Sequence, residues 1–180
     1  MTNKRNGSRL QRLTLTALFA ALLCVLSPIS VPLGPIPLSL GLCGALLTAL
    51  TLPPAMTLTA VAVYLGLGAC GQPIFAAGGA GVAALVSPTG GFLCYYLLAA
   101  PLGSALATRA KRLGGLLLAG LCALPICYVC GTAWYALMTN TPPLAALSVT
   151  VLPFVLFDLC KLALAASIAY RLRSILKLGQ

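Results

Sequence analysis

Chemistry in this chain can rest on very few side chains. Asp158 is the one acidic residue among 180, histidine is absent, and there are eight cysteines. A Ser-His-Asp triad, a paired-carboxylate site and a histidine/carboxylate metal site all need groups that the chain lacks. No catalytic residue, metal or cofactor is therefore expected. What remains is a charged pair. Asp158 and Lys161 stand three positions apart in an apolar run, which places them on one helix face. A lone charge at mid-bilayer costs about 2.5–3.5 kcal/mol on insertion scales, and intramembrane ions are functional candidates by default. Pairing offsets part of that cost but leaves the pair a weak source of stability. It reads either as an ion pair locking one helix against its neighbours or as the polar anchor of a small ligand. In the second reading the carboxylate accepts hydrogen bonds and the ammonium donates them. An otherwise apolar pocket with that anchor suits a ligand with a polar head and a hydrocarbon body.

The cysteines offer a rival. Cys127-Tyr-Val-Cys130 matches the C-x-x-C pattern of thiol redox motifs and half-zinc sites, which would make the chain a membrane thiol oxidoreductase. The motif sits in an apolar stretch, with neither a second C-x-x-C nor a histidine to complete a tetrahedral site. Cysteine also packs as a small hydrophobe. Trp134, Tyr135, Tyr95 and Tyr96 read as interfacial belt residues, with Trp134 or Phe75 as the alternative for stacking on a ligand.

The elements that hold these residues must lie in a membrane. Hydrophobic residues make up 61% of the chain and charged ones 7%, against roughly 45–50% and 25% in a soluble domain. A spanning helix needs about 20 apolar residues, and the apolar runs divide one domain, 1–180, into six spans near 10–29, 38–52, 55–69, 88–108, 113–138 and 148–170. The breaks are proline- and glycine-rich: Pro32 to Pro37, Pro53-Pro54, Gly71 to Gly81, and Pro142-Pro143. Irregular backbone at membrane depth persists only where protein covers it or it lines a cavity. The segments 32–37 and 71–81 are thus either the lid of a small-molecule pocket or ordinary surface loops.

The formal charge of +10 does not indicate nucleic acid, because all the cations but Lys161 fall in three clusters: Lys4, Arg5, Arg9 and Arg12; Arg109, Lys111 and Arg112; Arg171, Arg173 and Lys177. Short basic loops beside apolar spans follow the positive-inside bias. With six spans all three clusters fall on one side, the cytoplasmic face, together with both termini. The opposite connections, around Pro35, Gly79 and Pro142, carry no charge. A basic start followed by an apolar run also fits a signal peptide, but no small-x-small cleavage site follows, and the first segment is read as retained. No Gly-x-x-x-x-Gly-Lys-Ser/Thr loop occurs, so a transport role would draw its energy from a partner. Rows of small residues allow close helix approach in lipid, and Ala17 with Ala21, or Ala99, Gly103 and Ala107, could form docking faces.

Several segments in order resemble the BioY family, the biotin-binding S component of energy-coupling factor (ECF) transporters. They are Ile29-Ser-Val-Pro-Leu-Gly-Pro-Ile-Pro-Leu38, Gly71-Gln-Pro-Ile-Phe-Ala-Ala-Gly-Gly79, Ser87-Pro-Thr-Gly-Gly-Phe92, Gly131-Thr-Ala-Trp134, and Pro153-Phe154 followed by Asp158-Leu-Cys-Lys161. The resemblance implies an all-α membrane protein with the six-helix ECF S-component fold, taking biotin near its outer face. It implies that Asp158 and Lys161 hold the polar end of the ligand. Phe75, Gly78, Gly79 and Ala80 in the third loop, and Pro88, Thr89 and Gly90 in the following turn, would complete the site. It further implies that Ala17 and Ala21 dock on a transmembrane T component, with two ATPase subunits completing the transporter. The chain departs from the family pattern at Gly41, often glutamine, and at Leu156-Phe157, usually Pro-Gly. Ala80 is asparagine in some members, Gln72 is usually aliphatic, and Ser87 is usually glycine. These departures leave open an S component for another vitamin or a biotin precursor.

Overall fold

The computed structural model describes residues 2–33 and 36–176. Its first helix, α1 (Thr2–Leu26), buries Leu15, Phe19 and Leu23, a spacing of four that gives one inward stripe, and leaves Leu18 and Val25 exposed. An antiparallel hairpin follows, β1 (Ser30–Leu33) and β2 (Ile36–Ser39), with Pro32 opposite Pro37. Two residues without N–H groups can face each other only where the ladder asks neither to donate. The prolines therefore exclude helix while permitting this pairing, and the segment read from sequence as irregular is a short sheet. Its turn, at Gly34 and Pro35, lies outside the described residues.

Helix α2 (Gly41–Thr51) is the centre of the bundle, with ten of its eleven residues buried against α1, α3, α5 and α8. Small residues make this possible: a Cβ on Gly44 would sit 3.2 Å from the Leu23 side chain. The helix stops at Pro53-Pro54, which leaves carbonyls without intrahelical donors. The Thr57 hydroxyl reaches the Leu52 carbonyl at 3.3 Å, and the Ser104 hydroxyl donates to the same oxygen. Helix α3 (Pro54–Ala69) then leads through a 3₁₀ turn (Ala76–Gly78) to the short α4 (Gly81–Leu85).

Helices α5 (Gly90–Thr108) and α6 (Leu113–Thr139) form the most extensive helix pair. Ala99, Gly103 and Ala107 are all buried, and a Cβ on Gly103 would lie 3.1 Å from that of Ala123. This row packs the protein's own helices and does not form an outer docking face, which corrects that part of the sequence reading. The segment after Asn140 also differs from the single helix that begins near 148 in that reading. Helix α7 (Pro143–Thr150) and helix α8 (Val155–Leu176) are separate, bent by 51° across a break containing Pro153. Arg173, read as a topology charge, also donates to the Ala107 carbonyl at 2.7 Å and so caps the end of α5.

By length and composition α1, α5 and α6 can each cross a membrane, as can the bent α7–α8 pair taken as one span. Helices α2 and α3 are apolar but shorter. At 1.5 Å per residue α2 is about 16 Å long, and the hairpin that precedes it in the chain packs against the 3₁₀ turn.

Candidate functional site

The hairpin, the 71–81 loop, the turn at 87–89 and the break between α7 and α8 enclose a cavity of about 310 Å³. That volume lies at the small end of the range typical for small-molecule sites. Asp158 is 4% exposed and faces this cavity with Lys161. Lys161 Nζ lies 3.0 Å from Asp158 Oδ1, and the Tyr128 hydroxyl donates to Oδ2 at 2.6 Å. Each carboxylate oxygen so engaged still has a free lone pair, and the ammonium has two further protons. The polar end can therefore accept and donate at once.

Phe75 is 1% exposed and forms part of the opposite wall. Its ring meets Tyr64 edge-on, with centroids 5.5 Å apart, an arrangement the aromatic quadrupole favours. Glycine is required at Gly68, because a Cβ there would collide with the Phe75 ring. Gly79 lines the cavity, while Gly78 and Ala80 do not. Gly78 instead shapes the loop with φ +73°, next to Ala77 at φ +55°. The Ala77 N–H donates to Ser30 Oγ at 2.9 Å, tying the loop to the hairpin.

In the following turn Ser87 and Thr89 reach the cavity, whereas Pro88 and Gly90 do not. A Cβ on Gly90 would strike the Leu85 carbonyl, and one on Gly91 would strike Trp134. These glycines let backbone and side chain approach closely. Trp134 donates its indole N–H to the Ser87 carbonyl at 2.9 Å and stands off the cavity wall. It holds the turn and is not placed to stack on a ligand. Gly41, the position of the glutamine departure, is buried against Ser27 and Ser39, and a Cβ there would come within 2.7 Å of Ser27 Oγ and displace it.

Tyr128, Ser39, Thr150 and Phe154 complete much of the wall and were not singled out as site residues from sequence. Tyr128 had a signal: a tyrosine inside an apolar helix needs a partner for its hydroxyl, and the chain has one carboxylate. Cys127 lines the cavity while Cys130 does not, and both are free thiols. Ala17 and Ala21 are exposed on α1, away from the cavity.

Fold and site together define a helical membrane protein with a small-molecule-sized cavity bounded by a hairpin and a loop. The chain belongs to the BioY family, whose model matches residues 1–178. It is 38% identical to the biotin transporter BioY of Thermotoga maritima over 92% of this chain and 98% of that protein. It is 35% identical to the probable biotin transporter BioY of Pyrococcus horikoshii, covering 91% and 96% of the two chains. A crystal structure of the S component for biotin from an ECF-type ABC transporter superposes with a TM-score of 0.87 at 26% identity. That match covers 97% of this chain and 95% of the other, and it gives this chain the S-component fold.

Proposed function

We propose that this protein is the substrate-binding subunit of an ECF-type biotin transporter and captures biotin for uptake driven by partner ATPases. It is a transport subunit and not an enzyme. The observation that carries this reading is the cavity itself, apolar over most of its wall with the Tyr128–Asp158–Lys161 cluster at one place. Biotin matches it in chemistry. Its ureido group offers two N–H donors and a carbonyl acceptor to a carboxylate and an ammonium, while the thiophane ring and valeryl chain suit the aliphatic and aromatic walls.

Asp158 and Lys161 bind the polar head, and Phe75, Gly79 and Thr89 form wall contacts. Gly78, Ala80, Pro88 and Gly90 act by shaping the loop and turn that carry them. Six crossings, with α2 and α3 as short spans and α7–α8 as one broken span, put both termini and the basic clusters on the cytoplasmic side. The cavity then opens outward, and the exposed Ala17–Ala21 face of α1 docks on the transmembrane T component, whose two ATPase partners supply the energy.

Isothermal titration of the purified protein with biotin tests the reading, with Asp158→Asn as the control. Submicromolar binding that the variant loses is expected. Folded wild-type protein that binds no biotin below millimolar concentration would overturn the ligand assignment. Retained biotin uptake when both Cys127 and Cys130 are alanine separates this function from a thiol oxidoreductase, which would fail.

A further inference from the structure

The hydroxyls on the cavity wall other than that of Tyr96 each take part in a hydrogen bond, Ser39 by accepting from the Gly41 N–H at 3.1 Å. Ser87 Oγ donates to the Ala84 carbonyl at 2.7 Å, so the Thr89 hydroxyl, 3.0 Å away, donates to Ser87. The Thr150 hydroxyl bonds that of Thr132 at 2.7 Å, and Tyr128 donates to Asp158. Tyr96 is different. It is 7% exposed, lines the cavity from α5, and its hydroxyl has no hydrogen-bond partner among the described residues. Beneath it lies a void of about 20 Å³ walled by Leu42, Leu46, Ala99 and Leu124. Such a void is near the size of one water but lacks the two to four polar partners that a water needs. The hydroxyl keeps some accessible surface, unlike the sealed Thr51 hydroxyl, and the cavity is where a partner can arrive.

We propose that Tyr96 is a ligand-binding residue, its hydroxyl donating to the carbonyl oxygen of the ligand's ureido group. The inference rests on the biotin reading above and deepens it. Asp158 is the better acceptor and takes the one ureido N–H that faces it, which leaves the carbonyl to be met by donors. Lys161 Nζ, with one proton already on Asp158, supplies one and Tyr96 the other, so both lone pairs of the carbonyl are used. The floor of the site thus selects a cyclic urea over a ring that lacks the oxygen.

Calorimetry with biotin and with 2-thiobiotin, whose sulfur is a weak acceptor, on wild type and Tyr96→Phe tests this. Phenylalanine keeps the ring and removes no hydrogen bond of the unliganded protein, so the unliganded melting temperature should not fall. The variant should bind biotin about tenfold more weakly, the effect of one lost hydrogen bond with its partner stranded. It should lose less than twofold on 2-thiobiotin, because that interaction is already missing. Unchanged biotin affinity in the variant, an equal loss on both ligands, or wild type binding both ligands alike would overturn the proposal. Wild type that fails to bind biotin at all is a different result, and it removes the transport reading instead.

Discussion

Tyr128 on α6 and Asp158 on α8, 30 residues apart, are joined by a 2.6 Å hydrogen bond from phenol to carboxylate. With Lys161 on the other oxygen, the carboxylate is held from both sides, and its orientation toward the cavity is fixed before any ligand arrives. Such preorganisation raises affinity by removing the cost of ordering the group on binding.

Tyr128→Phe should therefore weaken biotin binding by about tenfold, since a hydrogen bond to a charged group contributes roughly 1.5–3 kcal/mol and part of that holds the binding geometry. Titration calorimetry reads the affinity, and thermal unfolding without ligand reads the fold. A fall in melting temperature with unchanged affinity would make Tyr128 a purely structural contact.

Removing one member of a buried ion pair leaves the other uncompensated, typically at a cost of about 3–5 kcal/mol, whereas replacing both with apolar groups is often neutral. Asp158→Leu and Lys161→Met should each lower the melting temperature, and the double variant should regain most of it. Binding should behave differently, lost in the singles and not restored in the double. Full binding by the double variant would mean the pair only holds helices together.

Much of this was legible in the sequence, and the reasons differ by element. Asp158 and Lys161 stood out because charge is costly in an apolar helix, and the double prolines marked the end of α2 and the start of α7. The hairpin was not legible, because Pro32 and Pro37 argue against helix but say nothing of being opposite each other. Nor was the bend at Pro153, where proline could as well have kinked a continuous helix. Gly90 and Gly91 were visible as a motif, yet only the packing of Leu85 and Trp134 against them shows that they serve close approach. Tyr96 read as an interfacial belt residue, because nothing in its sequence neighbourhood distinguishes it from an aromatic at the membrane surface, whereas it is 7% exposed and lines the cavity.

Trp134→Phe removes the N–H that holds the Ser87 carbonyl while keeping an aromatic ring. A hydrogen bond of this kind contributes about 1 kcal/mol, so the melting temperature should drop by a few degrees. Biotin affinity should fall only a few-fold, as Ser87 and Thr89 lose their fixed position on the wall. Loss of all binding without loss of stability would instead place the indole on the ligand.

Ala17 and Ala21 lie one turn apart on α1, exposed between larger apolar residues such as Leu13, Leu18 and Val25. In lipid no hydrophobic force drives helices together, and association relies on close packing that small residues allow. Neither alanine touches the cavity, so Ala17→Leu with Ala21→Leu should leave biotin binding to the isolated subunit unchanged. The added methyl groups should nevertheless hold a partner helix away, so that copurification with the T component and biotin uptake in cells both fall by an order of magnitude. Binding assays on the purified variant, paired with uptake in cells that carry the whole transporter, separate the two effects. Uptake at the wild-type rate would move the docking face elsewhere on the bundle, and loss of binding would mean that α1 supports the cavity.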